Sequence, residues 1–250
     1  MMRRRMGAIW QRGIAQYART LRQAGVTHTL VPNGLEAGSP MSEESVPSAT
    51  ADHSPSPSSD RAADLAVIQT EVAACTRCDV LARSRTQTVF GSGSVQPRLC
   101  FLGEAPGADE DRQGVPFVGR SGQLLTDIIK ACTLRREDVY ILNVLKCRPP
   151  NNRTPEPAET ANCRGYFERQ LQILRPEFIC CLGLVAAQAL LETKVSLGRM
   201  RGRFHDWRNS QVVVTYHPSY LLRQPSAKKD TWDDMQMLMR AMGIPIPGET

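Results

Sequence analysis

The chain has 250 residues, of which 41% are hydrophobic and 22% charged, and its formal net charge is +6. That length and apolar content suffice for one sizeable core with a short appendage, and no apolar run reaches membrane-spanning length. The positive balance suits a polyanionic partner and carries no information about fold.

Residues 1–31 hold six arginines and no acid, and Trp10, Ile14, Tyr17 and Leu21 recur at helical spacing, which predicts a basic amphipathic helix. Residues 32–62 are rich in Ser, Pro, Glu and Asp, with Ser54-Pro55-Ser56-Pro57-Ser58-Ser59 at their centre. Such a composition buries too little apolar surface to order itself and reads as a flexible linker. From residue 63 to 243 strands and helices alternate, and 244–250 form a short tail.

Within that domain a helix is expected from Asp64 to Ala74, followed by strand-like runs at Leu99–Gly103, Val139–Val144, Phe178–Gly183 and Val212–Tyr216. Helical runs lie between and after them at Ser121–Cys132, Pro155–Leu174, Leu184–Leu191 and Thr231–Met242. Thr154 is the expected N-cap of the third helix, with Pro155 in its first position, and Arg175-Pro176 stops it. The alternation predicts an α/β fold in three layers, α/β/α, around a central four-stranded parallel sheet. Ligands of such sheets bind at the carboxyl ends of the strands, which selects Gly103–Gly107, Asn143–Cys147 and His217–Ser219.

The first of these loops is Gly103-Glu104-Ala105-Pro106-Gly107-Ala108-Asp109-Glu110-Asp111. Its glycines let backbone approach a ligand, while its four acids exclude a phosphate cradle. Phe117 lies in a Gly- and Pro-rich loop, where it either stacks on a base or plugs the loop onto the core. Asn143 ends an apolar strand, where a buried amide must find partners. One orientation of its amide pairs with the N3–H and O4 that uracil presents side by side and the other with the reverse pattern of cytosine, so discrimination requires neighbours that lock the amide. His217, stiffened by Pro218, aims at the same rim and suits stabilising negative charge on a departing base. Beyond it, Leu221, Leu222 and Arg223 read as a loop suited to entering a base stack and meeting phosphate.

Eight cysteines, with no apolar h-region at the N-terminus, point to a reducing compartment and hence to metal ligands or free thiols. Cys100, Cys132, Cys180 and Cys181 sit in apolar runs or at a helix end and read as small buried hydrophobes. The tight Cys75-Thr-Arg-Cys78 pair, with Cys147 and Cys163 far downstream, suits a metal ion or an iron–sulfur cluster.

The ordered motifs Cys75-x-x-Cys78, GEAPG at 103–107, PFVGRSG at 116–122, NVLKCRPP at 143–150, Asn162-Cys163 and HPSYLLR at 217–223 resemble the family 4 uracil-DNA glycosylases. The resemblance covers about residues 63–243. It implies a base-excision repair enzyme that flips uracil from single- or double-stranded DNA and hydrolyses the N-glycosidic bond, leaving an abasic site. It further implies a structural [4Fe–4S] cluster on Cys75, Cys78, Cys147 and Cys163. Uracil contacts then fall to Gly103, Glu104, Ala105, Gly107, Phe117, Asn143 and His217, and the DNA-facing set is Arg120, Ser219, Leu221, Leu222 and Arg223. Ala105 stands where other uracil glycosylases carry a catalytic Asp, so the water is assigned to Glu110 ahead of Glu104. No histidine interrupts Gly119-Arg120-Ser121-Gly122-Gln123, unlike in relatives that trap uracil-DNA covalently, so turnover is expected. A monomer in the prokaryotic cytosol and nucleoid is the expected setting, and a non-catalytic iron–sulfur protein that binds uracil or damaged DNA is the rival.

Overall fold

The computed structural model describes residues 57–248. The expected basic helix at 1–31 and most of the linker lie outside the described residues. Six strands form one sheet: β1 (Ser92–Gly93), β2 (Leu99–Gly103), β3 (Tyr140–Asn143), β4 (Phe178–Leu182), β5 (Phe204–Trp207) and β6 (Ser210–Thr215). Nine helices are described: α1 (Pro57–Ala73), α2 (Asp79–Ser84), α3 (Ala108–Gln113), α4 (Arg120–Ala131), α5 (Pro157–Leu174), α6 (Leu184–Leu191), α7 (Leu197–Met200), α8 (Pro218–Arg223) and α9 (Lys228–Met242).

The spatial order is β1-β3-β2-β4-β6-β5. The four expected strands, β3, β2, β4 and β6, run parallel to one another. The sequence reading missed the two edge strands, which pair antiparallel: β1 on β3 and β5 on β6. β1 is only two residues long and β5 is only partly buried, so neither carries the long apolar run that marked the others.

β2, β3 and β4 are buried at every position, as expected of parallel strands covered on both sides. Alternate residues serve opposite layers. Cys100, Leu102, Leu142, Ile179, Cys181 and Val214 pack with Ile68 and Val72 of α1 and Phe167 and Leu171 of α5. Phe101, Ile141, Cys180 and Val213 pack with Leu125 and Ile129 of α4 and with Met235, Leu238 and Met239 of α9. Cys100, Cys180 and Cys181 are fully buried, and burial pushes their thiols well above the usual range.

Three boundaries correct the sequence reading. α1 begins at Pro57, so residues 57–62 of the expected linker are helical. α5 begins at Pro157, and its N-cap is Glu156 in place of Thr154. The cause is Pro157 itself, which pushes the preceding residue into extended backbone; Glu156 has φ −76° and ψ 152°. The segment Pro218–Arg223, read as a loop, is the helix α8, capped by His217 with Pro218 in its first turn.

Glu159 closes the start of α5. Its carboxylate accepts the Glu156 backbone N–H at 2.8 Å and two N–H groups of Arg153 at 2.6 and 2.8 Å. Because Glu159 is buried, removing it frees the Glu156 backbone N–H and leaves Arg153 only the exposed Glu156 carboxylate and the Thr154 carbonyl. Glu159→Ala is expected to lower stability by about 2 kcal/mol, read as a lower urea midpoint at unchanged slope.

Candidate functional site

β2 and β4 are neighbours, yet β2 is followed by β3 on one side and β4 leads to β6 on the other. Strand order therefore reverses between them, and a crevice opens at their carboxyl ends. It holds a cleft of about 440 Å³. Glu104, Ala105 and Gly107 line it from the loop after β2, and Asn143 from the end of β3. Gly183 contributes from the end of β4, and His217 from the end of β6. Phe117, Glu110, Arg120, Ser219 and Arg223 also reach it.

Asn143 is 2% exposed, and its Oδ1 has no hydrogen-bond partner among the described residues. A buried acceptor left empty is costly and calls for a ligand donor. Gly103 makes room for it: a Cβ there would stand 2.3 Å from the Asn143 Oδ1 and 2.6 Å from the Phe117 ring. Phe117 is itself buried, with a left-handed φ of 54°, a strained conformation for an aromatic residue. Its ring centroid lies 5.6 Å from that of His217, so the two rings flank the mouth of the amide's recess.

The strained loop is held from both sides. Arg136 donates to the Pro116 carbonyl at 2.7 Å. Glu110 accepts the N–H groups of Val118 and Gly119 on one oxygen, both at 2.9 Å, and that of Gly107 on the other at 3.1 Å. The expectation that Glu110 handles water thus meets a carboxylate already occupied by backbone, because it heads α3 and ties two loops together. Glu104 also lines the cleft, and its side chain has no hydrogen-bond partner among the described residues. Burial pushes its carboxyl above the usual range.

His217 accepts the Ser219 backbone N–H on Nδ1 at 3.1 Å, and the Ser219 hydroxyl lies 2.8 Å from the same nitrogen. An amide can only donate, so Nδ1 is unprotonated and Nε2 carries the hydrogen of the neutral ring. Burial and then the Arg223 charge push its pKa down to about 4. Helix α8 separates the residues of the expected insertion loop. Leu222 is 38% exposed, whereas Leu221 is 1% exposed and faces the core beside Leu124 and Ile128. This corrects the pairing of the two leucines: consecutive helical residues point about 100° apart, so only one of them faces out. Leu184, just after the end of β4, and Tyr220, within HPSYLLR, line the cleft from segments the sequence had marked, whereas Asn152 and Arg153 were not singled out. Asn152 did carry a signal, since Pro149-Pro150-Asn151-Asn152 is a turn sequence, and both asparagines adopt φ 54°.

The four remaining cysteines come together where α2, the β3–α5 connection and α5 meet. The charge of Cys147 feels Cys75 and Cys78, and that of Cys163 feels Cys147 and Cys78. Among the described residues no three Cys, His, Asp or Glu side chains are gathered tightly enough to share a single metal ion. Hydrogen-bond donors surround the sulfurs: Arg85 reaches Cys147 at 3.0 Å and Asn162 reaches Cys78 at 3.5 Å. Arg77 and Tyr166 hydrogen-bond Cys75 and, against the opposing effect of burial, hold its thiol below the usual range. Lys146, fully buried between this site and the cleft, donates to the carbonyls of Asn143 at 2.8 Å and Phe90 at 3.1 Å. Among the described residues no helix is long and apolar enough to cross a membrane.

The family model of the uracil DNA glycosylase superfamily matches residues 90–236. The chain is 46% identical over 162 residues to a type-4 uracil-DNA glycosylase of Thermotoga maritima, covering 64% of this chain and 84% of the relative. It is 41% identical over 185 residues to the type-4 enzyme of Archaeoglobus fulgidus, covering 71% and 92%. A type-4 enzyme of Pyrobaculum aerophilum is 40% identical over 182 residues, covering 70% and 92%. With the cleft at the same sheet ends that carry the matched motifs, the chain belongs to the uracil DNA glycosylase superfamily and, within it, to the type-4 uracil-DNA glycosylases.

Proposed function

We propose that this protein excises uracil from DNA by hydrolysing the N-glycosidic bond, leaving an abasic site for repair. The observation that carries this reading is the Asn143 amide, buried at the floor of the cleft with its Oδ1 unpartnered. Uracil supplies the missing N–H from N3 and accepts at O4 from the amide nitrogen. Cytosine, with a bare N3 and an amino group, offers the reverse pattern.

The nucleotide leaves the stack and its base enters the cleft, with one face on Phe117. The neutral His217 directs Nε2–H at the carbonyl nearer the sugar and stabilises the charge that grows there as the bond breaks. Uracil departs as an anion, and water captures the sugar cation. Glu104 is assigned to orient that water, because Glu110 is engaged by three backbone N–H groups. Glu110 acts instead as the residue that positions Phe117. Arg120, Ser219, Leu222 and Arg223 form the DNA-facing rim, and Leu222 fills the vacated stack. The partner is uracil-containing DNA, handled by a single chain in the cytosol and nucleoid.

Cys75, Cys78, Cys147 and Cys163 fit a [4Fe–4S] cluster. The donor set is four thiols that feel one another's charge, and N–H groups of Arg85 and Asn162 point at the sulfurs of Cys147 and Cys78. Bound there, the cluster supplies a crosslink between three segments of the chain. Arg85 and Arg77 would offset its negative charge, while Asn162 and Tyr166 would donate hydrogen bonds to its sulfurs.

Incubating the protein with single- and double-stranded uracil oligonucleotides, then with hot alkali, is expected to cleave both at uracil alone; intact strands would overturn the reading. Asn143→Asp is expected to lower single-turnover excision about 100-fold or more, because the donor to O4 becomes an acceptor. A rate near wild type would remove Asn143 from base recognition.

The pH dependence follows from His217. Its pKa is about 4 folded against 6.5 ordinarily, so the folded ring stays neutral down to about pH 4, while the stability linked to it is complete above pH 6.5 and is lost as pH falls from there toward about 4. In kcat/KM, which reports the free enzyme, the limb due to His217 is expected near pH 4, and a midpoint near 6.5 would contradict the assignment. Iron analysis is expected to give about four irons per chain, and Cys163→Ser to lose the iron together with the brown absorbance. Full iron content in that variant would mean the ligand set is wrong.

A further inference from the structure

The residue before His217 is the middle of a three-layer stack that begins in the core. Asp234, on α9 and 2% exposed, accepts Arg201 Nε at 2.8 Å and the Gly202 backbone N–H at 3.2 Å. Arg201 also donates to the Asp230 carbonyl at 2.6 Å, so its guanidinium is fixed in place. That guanidinium lies 4.2 Å from the ring centroid of Tyr216, and the ring of Tyr220 stacks on Tyr216 at 4.9 Å with an interplanar angle of 23°. Two groups so close over one ring must occupy its two faces. The order is therefore Arg201, Tyr216, Tyr220, and Tyr220 is the open end.

Tyr220 is 39% exposed and lines the cleft, and among the described residues its ring has no aromatic or cationic partner except Tyr216. The neighbouring side chains on α8 are Leu222, 38% exposed, and Arg223, which also lines the cleft. An ordinary surface tyrosine rests on whatever is near. This one is backed by a second tyrosine, a cation and a buried carboxylate, all of which keep its ring at a set angle beside the mouth of the cleft. A rigid aromatic face next to a base-sized recess, flanked by a cation, is the arrangement that accepts a nucleobase.

We propose that Tyr220 is a stacking platform for the base adjacent to the everted uracil. When uracil leaves the strand, its neighbour loses one stacking face, and Tyr220 supplies a replacement while Arg223 meets the backbone. The platform favours single-stranded DNA, in which that neighbour is free of a complement and can turn toward the ring. This inference rests on the reading that uracil enters the cleft.

The test uses single-stranded oligonucleotides with one uracil, flanked on either side by a normal base or, in turn, by an abasic spacer. On the normal substrate Tyr220→Ala is expected to raise the DNA concentration for half-maximal excision about tenfold, and Tyr220→Phe to restore it. With wild-type protein the spacer on one side is expected to cause a similar loss, and on that substrate Tyr220→Ala adds no further loss. With 2-aminopurine at the same position, binding to wild type is expected to quench its fluorescence, and binding to Tyr220→Ala to leave it bright. A wild-type protein that excises uracil but tolerates a spacer on both sides equally well overturns the platform and leaves the proposed function intact. A wild-type protein that leaves the unmodified oligonucleotide uncut overturns the proposed function itself. Equal losses from Tyr220→Ala on the normal and spacer substrates would reduce the residue to a structural contact. The spacer comparison needs no variant and so decides the matter even if Tyr220→Ala does not fold.

Discussion

Glu110 accepts backbone N–H groups from Gly107 on the loop after β2 and from Val118 and Gly119 on the loop before α4. These loops carry the acidic face and the aromatic face of the cleft, and nothing in either sequence makes them adhere. A carboxylate accepting three amides in a setting shielded from water is a strong, directional tie. It sets the strained backbone of Phe117, and with it the spacing between the Phe117 ring, the His217 ring and the amide of Asn143. The other features of the site, including the recess that Gly103 leaves open, depend on that spacing being held to a fraction of an ångström.

A second tie lies behind the first. Lys146 is buried between the cleft and the cysteines, with Cys147 next in sequence and Cys163 within electrostatic reach, and it donates to the carbonyl of Asn143. Burial draws its ammonium down to about 7, and only the neighbouring thiols oppose that shift. The two carbonyl contacts of Lys146, to Phe90 and Asn143, tie the segment before β1 to the strand end that carries the recess.

The sheet explains why these groups meet at all. Reversal of strand order between β2 and β4 opens a crevice at their carboxyl ends, where the segments that follow β2, β3, β4 and β6 share one opening. α9 supplies Asp234, which holds Arg201 from the turn after α7 against the ring of Tyr216 and so braces the strand end that delivers His217. α5 does the same for the opposite wall, where its capped start anchors Arg153 at the rim and its first turns carry Cys163.

Much of this was legible in the residue order. Four buried strands announced themselves as unbroken apolar runs, and the motifs at their ends named Asn143, Phe117, His217 and the four cysteines. Elements without an apolar period, such as the two edge strands and the helix of HPSYLLR, were not legible, because their conformation comes from pairing and capping. Sequence also could not tell Leu221 from Leu222, or Glu104 from Glu110: each pair is chemically alike, and only direction of packing separates them. The sequence by itself determined the parallel sheet, the family and the chemical types present at the site, since hydrophobic runs and motif spacing are local properties of the chain. Tertiary structure alone decided which carboxylate is tied to backbone, which leucine faces solvent and which tyrosine has an open face, because those follow from distances between segments far apart in sequence.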